Sequence, residues 1–209
     1  MLTFTLLPAA RLDEMIEGST ILEQDSSGPK VYRLRDGNML KLFRRKRLLS
    51  SALLRPHSQR FCANATALQN LDIPTLQPLS LYRLEVPAKT AVLYRPLPGE
   101  TLSQLLRNEA ISWAALQPEL AEFINLLHDS GVYFRSLHLG NIVRTPNNQL
   151  GLIDIADLQL RQHPLGPHLI RRNREHFDKY LRKEGLPFDT ASLWACCETV
   201  RTGSHRDAH

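Results

Sequence analysis

Cysteine is scarce in this chain: three residues in 209, namely Cys62 and the adjacent pair Cys196 and Cys197. Such a set builds no disulfide framework and fits a reducing compartment. There is no C-x-x-C, H-E-x-x-H or G-x-x-x-x-G-K-[ST] pattern, which excludes zinc-ribbon, zincin and P-loop chemistries. Adjacent cysteines make a poor chelate, so Cys196 and Cys197 read as a buried, inert pair. The eight histidines lack ligand spacing, and His205 and His209 fall in the polar last residues. No stretch of about 18 apolar residues occurs, so no membrane-spanning helix is expected. The opening MLTFTLLPAARLDEM is apolar but short, holds a proline and lacks a basic leader, so a secretory signal is not expected. These absences lead to the expectation of a soluble, cytoplasmic, globular protein.

Acidic charge is the other local shortage. Between Gly37 and Leu71 there is none, while Lys41, Arg44, Arg45, Lys46, Arg47, Arg55 and Arg60 all fall there. A second basic run, RRNREHFDKYLRK, covers Arg171 to Lys183, and the whole chain carries a net charge of +5. One-signed fields attract phosphates, nucleic acid or an anionic membrane face, and a solvated helix face gives the same pattern. Aromatics are not interleaved with the basic residues as stacking on single strands requires, so nucleic acid is not expected as a partner. With 43% apolar and 22% charged residues, the chain can bury a core as one domain or two small lobes.

Its two halves differ in pattern. Residues 1–18 read as an N-terminal arm or short amphipathic helix. From 19 to 95 the pattern is strand-rich. Ser19–Gln24 and Lys30–Leu34 flank the loop Asp25-Ser26-Ser27-Gly28-Pro29, and Asp36-Gly37 turns into Met39–Phe43. A helical stretch breaks at Pro56 and resumes over Gln59–Leu71, because proline removes a donor and clashes with the preceding turn. Thr75–Leu84 and Thr90–Leu93 are two further strands. After Pro96-Leu97-Pro98-Gly99 the pattern becomes helical: Thr101 caps a short helix and Trp113–Asp129 is a long amphipathic one. A polar turn, Pro146-Asn147-Asn148, then separates two short strands, the second being Leu150–Asp154. Residues 96–190 form this second half, and 191–209 read as a C-terminal tail.

Three motifs resemble the protein-kinase-like superfamily, in the branch of the lipopolysaccharide (Kdo/heptose) kinases, and are closest to bacterial proteins labelled toluene tolerance proteins. Leu137-His138-Leu139-Gly140-Asn141-Ile142 is similar to the L-H-x-G-N-[IL] end of the catalytic loop. Leu152-Ile153-Asp154-Ile155-Ala156 is similar to the strand and aspartate of the D-F-G element. Leu93-Tyr94-Arg95-Pro96-Leu97-Pro98-Gly99-Glu100-Thr101-Leu102 resembles the interlobe hinge running into the next helix. The resemblance covers roughly residues 19 to 184. It implies an α+β, two-lobed protein-kinase-like fold with a strand-rich N-lobe and a reduced helical C-lobe. It also implies ATP and Mg²⁺ as cofactors. Asn141 and Asp154 would hold the metal, Lys41 and the Gly28 loop the phosphates, and Tyr94, Arg95 and Leu97 the base. Taken without the resemblance, Asn141 caps a turn, Asp154 ends a strand and Lys41 faces solvent.

The chain departs from the motif at Phe134-Arg135-Ser136, where the family has H-R-D or H-x-D. Ser136 thus takes the place of the catalytic aspartate, and a hydroxyl is a poor base near neutral pH. Asp157, the nearest other acid, is not expected to substitute. Asn64 stands where a helix glutamate would orient Lys41. The resemblance implies a Mg-ATP phosphotransferase acting on a lipopolysaccharide core sugar at the cytoplasmic membrane face, with Ser136 and Arg135 facing the acceptor. The alternative is a pseudokinase serving as a nucleotide-binding or regulatory module in envelope stress or solvent tolerance. Arg44, Arg45, Lys46 and Arg47 are candidates for peripheral contact with an anionic lipid or glycan at the inner membrane.

Overall fold

The computed structural model describes residues 2–44, 56–86, 89–186 and 188–204. They fall into two compact units, Met1–Leu97 and Pro98–His209. The fold is α+β, with antiparallel pairing predominant among the strands.

The first unit is built on β1 (Phe4–Leu7), α1 (Ala9–Ile16), β2 (Thr20–Asp25), β3 (Gly28–Arg33) and β4 (Met39–Arg44). It continues with α2 (His57–Gln69), β5 (Gln77–Leu84) and β6 (Lys89–Arg95). The six strands make one sheet in the order β1-β5-β6-β4-β3-β2. All neighbours are antiparallel except β1, which runs parallel to β5 with Phe4 opposite Leu81. The expected N-terminal arm is therefore corrected in part. Its helix is present, but Phe4–Leu7 is a strand that closes one edge of the sheet.

Side chains alternate across a strand, so the sheet has two apolar faces. On one, Leu7, Leu40, Leu84 and Ala91 are buried together with Leu12, Met15 and Ile16 of α1. The other carries Phe43 and Tyr94, whose rings lie 5.6 and 5.5 Å from that of Phe61 on α2. Helix α2 starts directly after Pro56, whose ring ends any helix running into it but leaves the following residues free to start one. It turns Phe61, Ala65 and Leu68 inward. Fully burying side chains of this size contributes roughly 1.5–3 kcal/mol each.

The second unit contains β7 (Glu100–Thr101), α3 (Leu102–Arg107), α4 (Trp113–Asp129), β8 (Val132–Tyr133), β9 (Ile142–Arg144), β10 (Leu150–Leu152), β11 (Gln159–Leu160), α5 (Pro167–Lys183) and α6 (Ala191–Ser204). Thr101 caps α3 with a reciprocal capping box: its hydroxyl accepts from Gln104 N–H while the Gln104 side chain accepts from Thr101 N–H. The expected limits of α4 hold, and Ser112 caps it. Strand β10 stops at Leu152, two residues short of the expectation, because Asp154 turns the backbone left-handed.

Residues 191–204 are not a tail. They form α6, which packs along α4, burying Leu193 and Cys197. The Asn125 side chain of α4 donates to the Cys197 carbonyl at 2.8 Å. Cys197 is buried, but Cys196 is only half-buried, so the expected buried pair is half right. Among the described residues no helix is long and apolar enough to cross a membrane.

Candidate functional site

Two loops of the second unit hold the residues singled out by the sequence. The first, Phe134 to Gly140, leaves β8 and enters a 3-10 turn at Leu139–Asn141. The second, Ile153 to Leu158, leaves β10, forms a 3-10 turn at Ile155–Asp157 and returns as β11. Both ends of this pair are tied. Strands β9 and β10 are antiparallel neighbours on one side, and β8 and β11 on the other. Between them, Ile153 N–H donates to the Asn141 carbonyl at 3.0 Å. A loop held at both ends loses little further freedom when its side chains act together.

The first loop is bolted to two helices. Phe134 is fully buried, and its carbonyl accepts a 2.7 Å bond from the buried Asn173 side chain of α5. Asn173 Oδ1 lies 3.2 Å from His128 Nε2 of α4, which fixes the imidazole proton on Nε2. Phe134 thus serves as a wedge in the core, with no group that could move a proton. Leu137 and Leu139 are buried on either side of His138 and pin the rest of the loop.

The polar side chains then fall into place. Asn141, 8% exposed, donates from Nδ2 to the Ser136 carbonyl at 3.0 Å. Its amide nitrogen is committed, which leaves Oδ1 as the end able to meet a cation. Asp154 is exposed and adopts φ 51°, ψ 43°, a conformation that aspartate tolerates better than most side chains but that still stores strain. Ser136 Oγ donates to Asp157 Oδ2 at 2.8 Å. The 3-10 turn thus carries the Asp157 carboxylate back to Ser136, 21 residues earlier in the chain.

Burial pushes the Asp157 carboxyl above the usual carboxylate range, against the Ser136 hydrogen bond and the Arg135 charge, which pull it down. Asp154 adds to the upward push. Asp157 Oδ1 is buried without a hydrogen-bond partner, so its charge is only half compensated.

His138 forms a second cluster beside the first. Its ring stacks on Tyr180 at 4.4 Å, and Nδ1 lies 2.7 Å from Glu184 Oε1 and 3.2 Å from Gly140 N. Nδ1 cannot donate to one and accept from the other at once. The shorter, charge-assisted contact wins, so Nδ1 carries the proton. Burial lowers the His138 pKa, opposed by Glu184, Asp154 and Asp157. The other Glu184 oxygen accepts from Ser103 Oγ. Glycine at 140 leaves room here: a Cβ would come within 3.1 Å of His138 and 3.3 Å of Glu184.

The remaining candidates lie in the first unit. Lys41, on β4, has its ammonium 5.7 Å from the Phe61 ring centre and 6.0 Å from that of Phe43, so it faces α2 and is only half exposed. Asn64 is half-buried on α2. Tyr94 sits late on β6 between Met39 and Pro78, Arg95 is exposed and donates to Gln77 at 3.1 Å, and Leu97 is half-buried beyond the strand.

Gly28 is not part of an open loop. Asp25 and Gly28 pair across a two-residue turn, and Gly28 takes φ +101°, which a side chain would resist. At its tip Asp25 accepts from Ser27 N–H at 2.8 Å, and that bond holds its carboxyl below the usual range. Lys30 also pairs with Asp25, at 3.5 Å, so the hairpin beside Gly28 carries both signs of charge.

Arg44 is also otherwise engaged. It donates to the Pro29 carbonyl at 2.9 Å and pairs with Asp25 at 3.1 Å, bracing the hairpin from β4. Arg45, Lys46 and Arg47 lie outside the described residues.

No family model matches the chain, and no curated protein matches it. Among the described residues no three His, Cys, Asp or Glu side chains gather as a metal-ligand set. Mg²⁺, however, needs only one or two carboxylates when phosphates and water complete its shell, and the oxygens of Asn141 and Asp154 suit it. Sequence reasoning missed Glu184 and the pairing of Asp157 with Ser136. An acid three residues past Asp154 was visible as a signal, but its pairing with Ser136, 21 residues away, was not.

Proposed function

We propose that the protein is a protein-kinase-like phosphotransferase that uses Mg-ATP and transfers the terminal phosphoryl group to a hydroxyl of a lipopolysaccharide core sugar. The observation that supports this reading is the doubly tied pair of loops. It brings Asn141, whose amide nitrogen is committed to the Ser136 carbonyl, and Asp154, held in a left-handed turn, onto neighbouring loops. Asn141 Oδ1 and the Asp154 carboxylate would hold Mg²⁺. When bound, the ion neutralises charge on the phosphate oxygens.

The chain's own groups do the rest. By the resemblance, Lys41 contacts the nucleotide phosphates, and the backbone at Tyr94, Arg95 and Leu97 contacts the base. Arg135, exposed beside Ser136, supplies positive charge toward an anionic acceptor. The buried wedge at Phe134 holds the loop still, so positioning is retained without a histidine there.

A second reading is a nucleotide-binding module without transfer. It is favoured by the serine at position 136, whose hydroxyl is a poor base. Calorimetry with Mg-ATP tests the common ground. The wild type should bind, and Asp154→Ala should lose Mg²⁺-dependent binding while staying folded. A folded wild type that binds no Mg-ATP removes both readings.

A further inference from the structure

Resting on the phosphotransferase reading, we infer that Asp157 receives the acceptor's proton through Ser136, so that a serine–aspartate relay replaces the missing loop aspartate. The two residues come from different loops and meet at 2.8 Å, with Ser136 Oγ donating its single proton to Asp157 Oδ2. A hydroxyl that has given its proton away keeps two lone pairs, and these can accept a hydrogen bond from another hydroxyl. Ser136 is half-buried, within reach of solvent, whereas Asp157 Oδ1 is enclosed and unpartnered. The serine therefore meets the acceptor, and the aspartate acts behind it.

The acceptor oxygen forms a bond to the terminal phosphorus of a nucleoside triphosphate while the bond from that phosphorus to the bridging oxygen breaks. The nucleoside diphosphate leaves with the electron pair. The acceptor's proton passes to Ser136 Oγ as the Ser136 proton passes to Asp157, which ends as the neutral acid and later loses that proton to water. Nothing is oxidised or reduced.

Local charge fits this role. Asp154 lies on the same turn and His138 on the facing loop, with Arg135 next to the serine. A carboxylate that has one hydrogen bond and one bare buried oxygen is a stronger base than an exposed aspartate. In a merely structural pair both oxygens would be satisfied, as is usual for buried polar groups.

The test uses the full chain with Mg-ATP, water as acceptor and release of inorganic phosphate as readout, beside calorimetric Mg-ATP binding. Asp157→Asn keeps an oxygen for Ser136 but cannot take a proton. It should retain the wild-type Kd within about twofold and lose turnover by roughly 10²–10⁴-fold. Ser136→Ala, which leaves Asp157 in place, should lose a comparable amount, and the double variant Ser136→Ala, Asp157→Asn no more than either alone. Ser136→Asp combined with Asp157→Asn should recover turnover, because it returns a carboxylate to the loop. Unchanged turnover in folded Asp157→Asn or Ser136→Ala overturns the relay and leaves the phosphotransferase reading standing. Binding without any phosphate release by the wild type also overturns it. Absence of Mg-ATP binding by the folded wild type overturns the parent reading itself.

Discussion

Asp157 shows how one side chain can work against the fold that holds it. Its carboxyl titrates above the ordinary range because burial disfavours its charge. A group whose folded pKa is raised in this way favours folding only while it is protonated. The cost is absent in acid, where both states are protonated, and develops as pH rises from the ordinary carboxylate range through the raised value. Asp157→Asn should therefore raise the melting temperature at pH 7 and leave it nearly unchanged in acid, where both side chains are neutral. Thermal unfolding across that range checks this. A lower melting temperature at pH 7 would mark Asp157 as a structural anchor. Lys41 shows the complementary limit of sequence reasoning. Alternation with Leu40 and Leu42 suggests a solvent-facing lysine, but α2 covers that face and puts Phe61 beneath the ammonium.

At the scale of elements, the clearest sequence signals were local ones. The apolar spacing of α4, the Thr101 cap and the Pro146-Asn147-Asn148 turn all survive in the structure, since each depends on residues a few positions apart. Thr101→Ala removes the hydroxyl that caps α3 and should cost about 1 kcal/mol, measured by urea unfolding. Elements made by distant partners were not legible. Strand β1 exists only through its parallel pairing with β5, and β8 and β11 are two-residue strands defined solely by each other. Helix α6 read as a tail because what orders it is the α4 surface it lies on, where Asn125 meets Cys197.

For the whole molecule, the uneven basic charge remains the feature that points outward. Part of it is spent within the protein: Arg44 braces the Asp25 hairpin, Arg174 pairs with Glu198 at 3.0 Å, and Arg171 pairs with Glu175. The proposed contact with an anionic lipid or glycan therefore rests on Arg45, Lys46 and Arg47. Replacing these three by neutral residues should weaken association with anionic vesicles at low salt, and added salt should weaken it in the wild type. Unchanged binding by the variant would remove the surface from consideration.

The sequence by itself determined the α+β class, the break in character near Pro96–Gly99, helices α2, α3 and α4, and the motifs that contain Asn141 and Asp154. All of these depend on short-range periodicity, turn chemistry or a contiguous motif. Only the tertiary structure decided that Phe134 is a buried wedge, that Gly28 serves a tight hairpin and that Asp157 stands behind Ser136. Those outcomes depend on where two loops are brought together by the strand pairs β8–β11 and β9–β10. A pairing between residues far apart in sequence leaves no periodic trace in the chain.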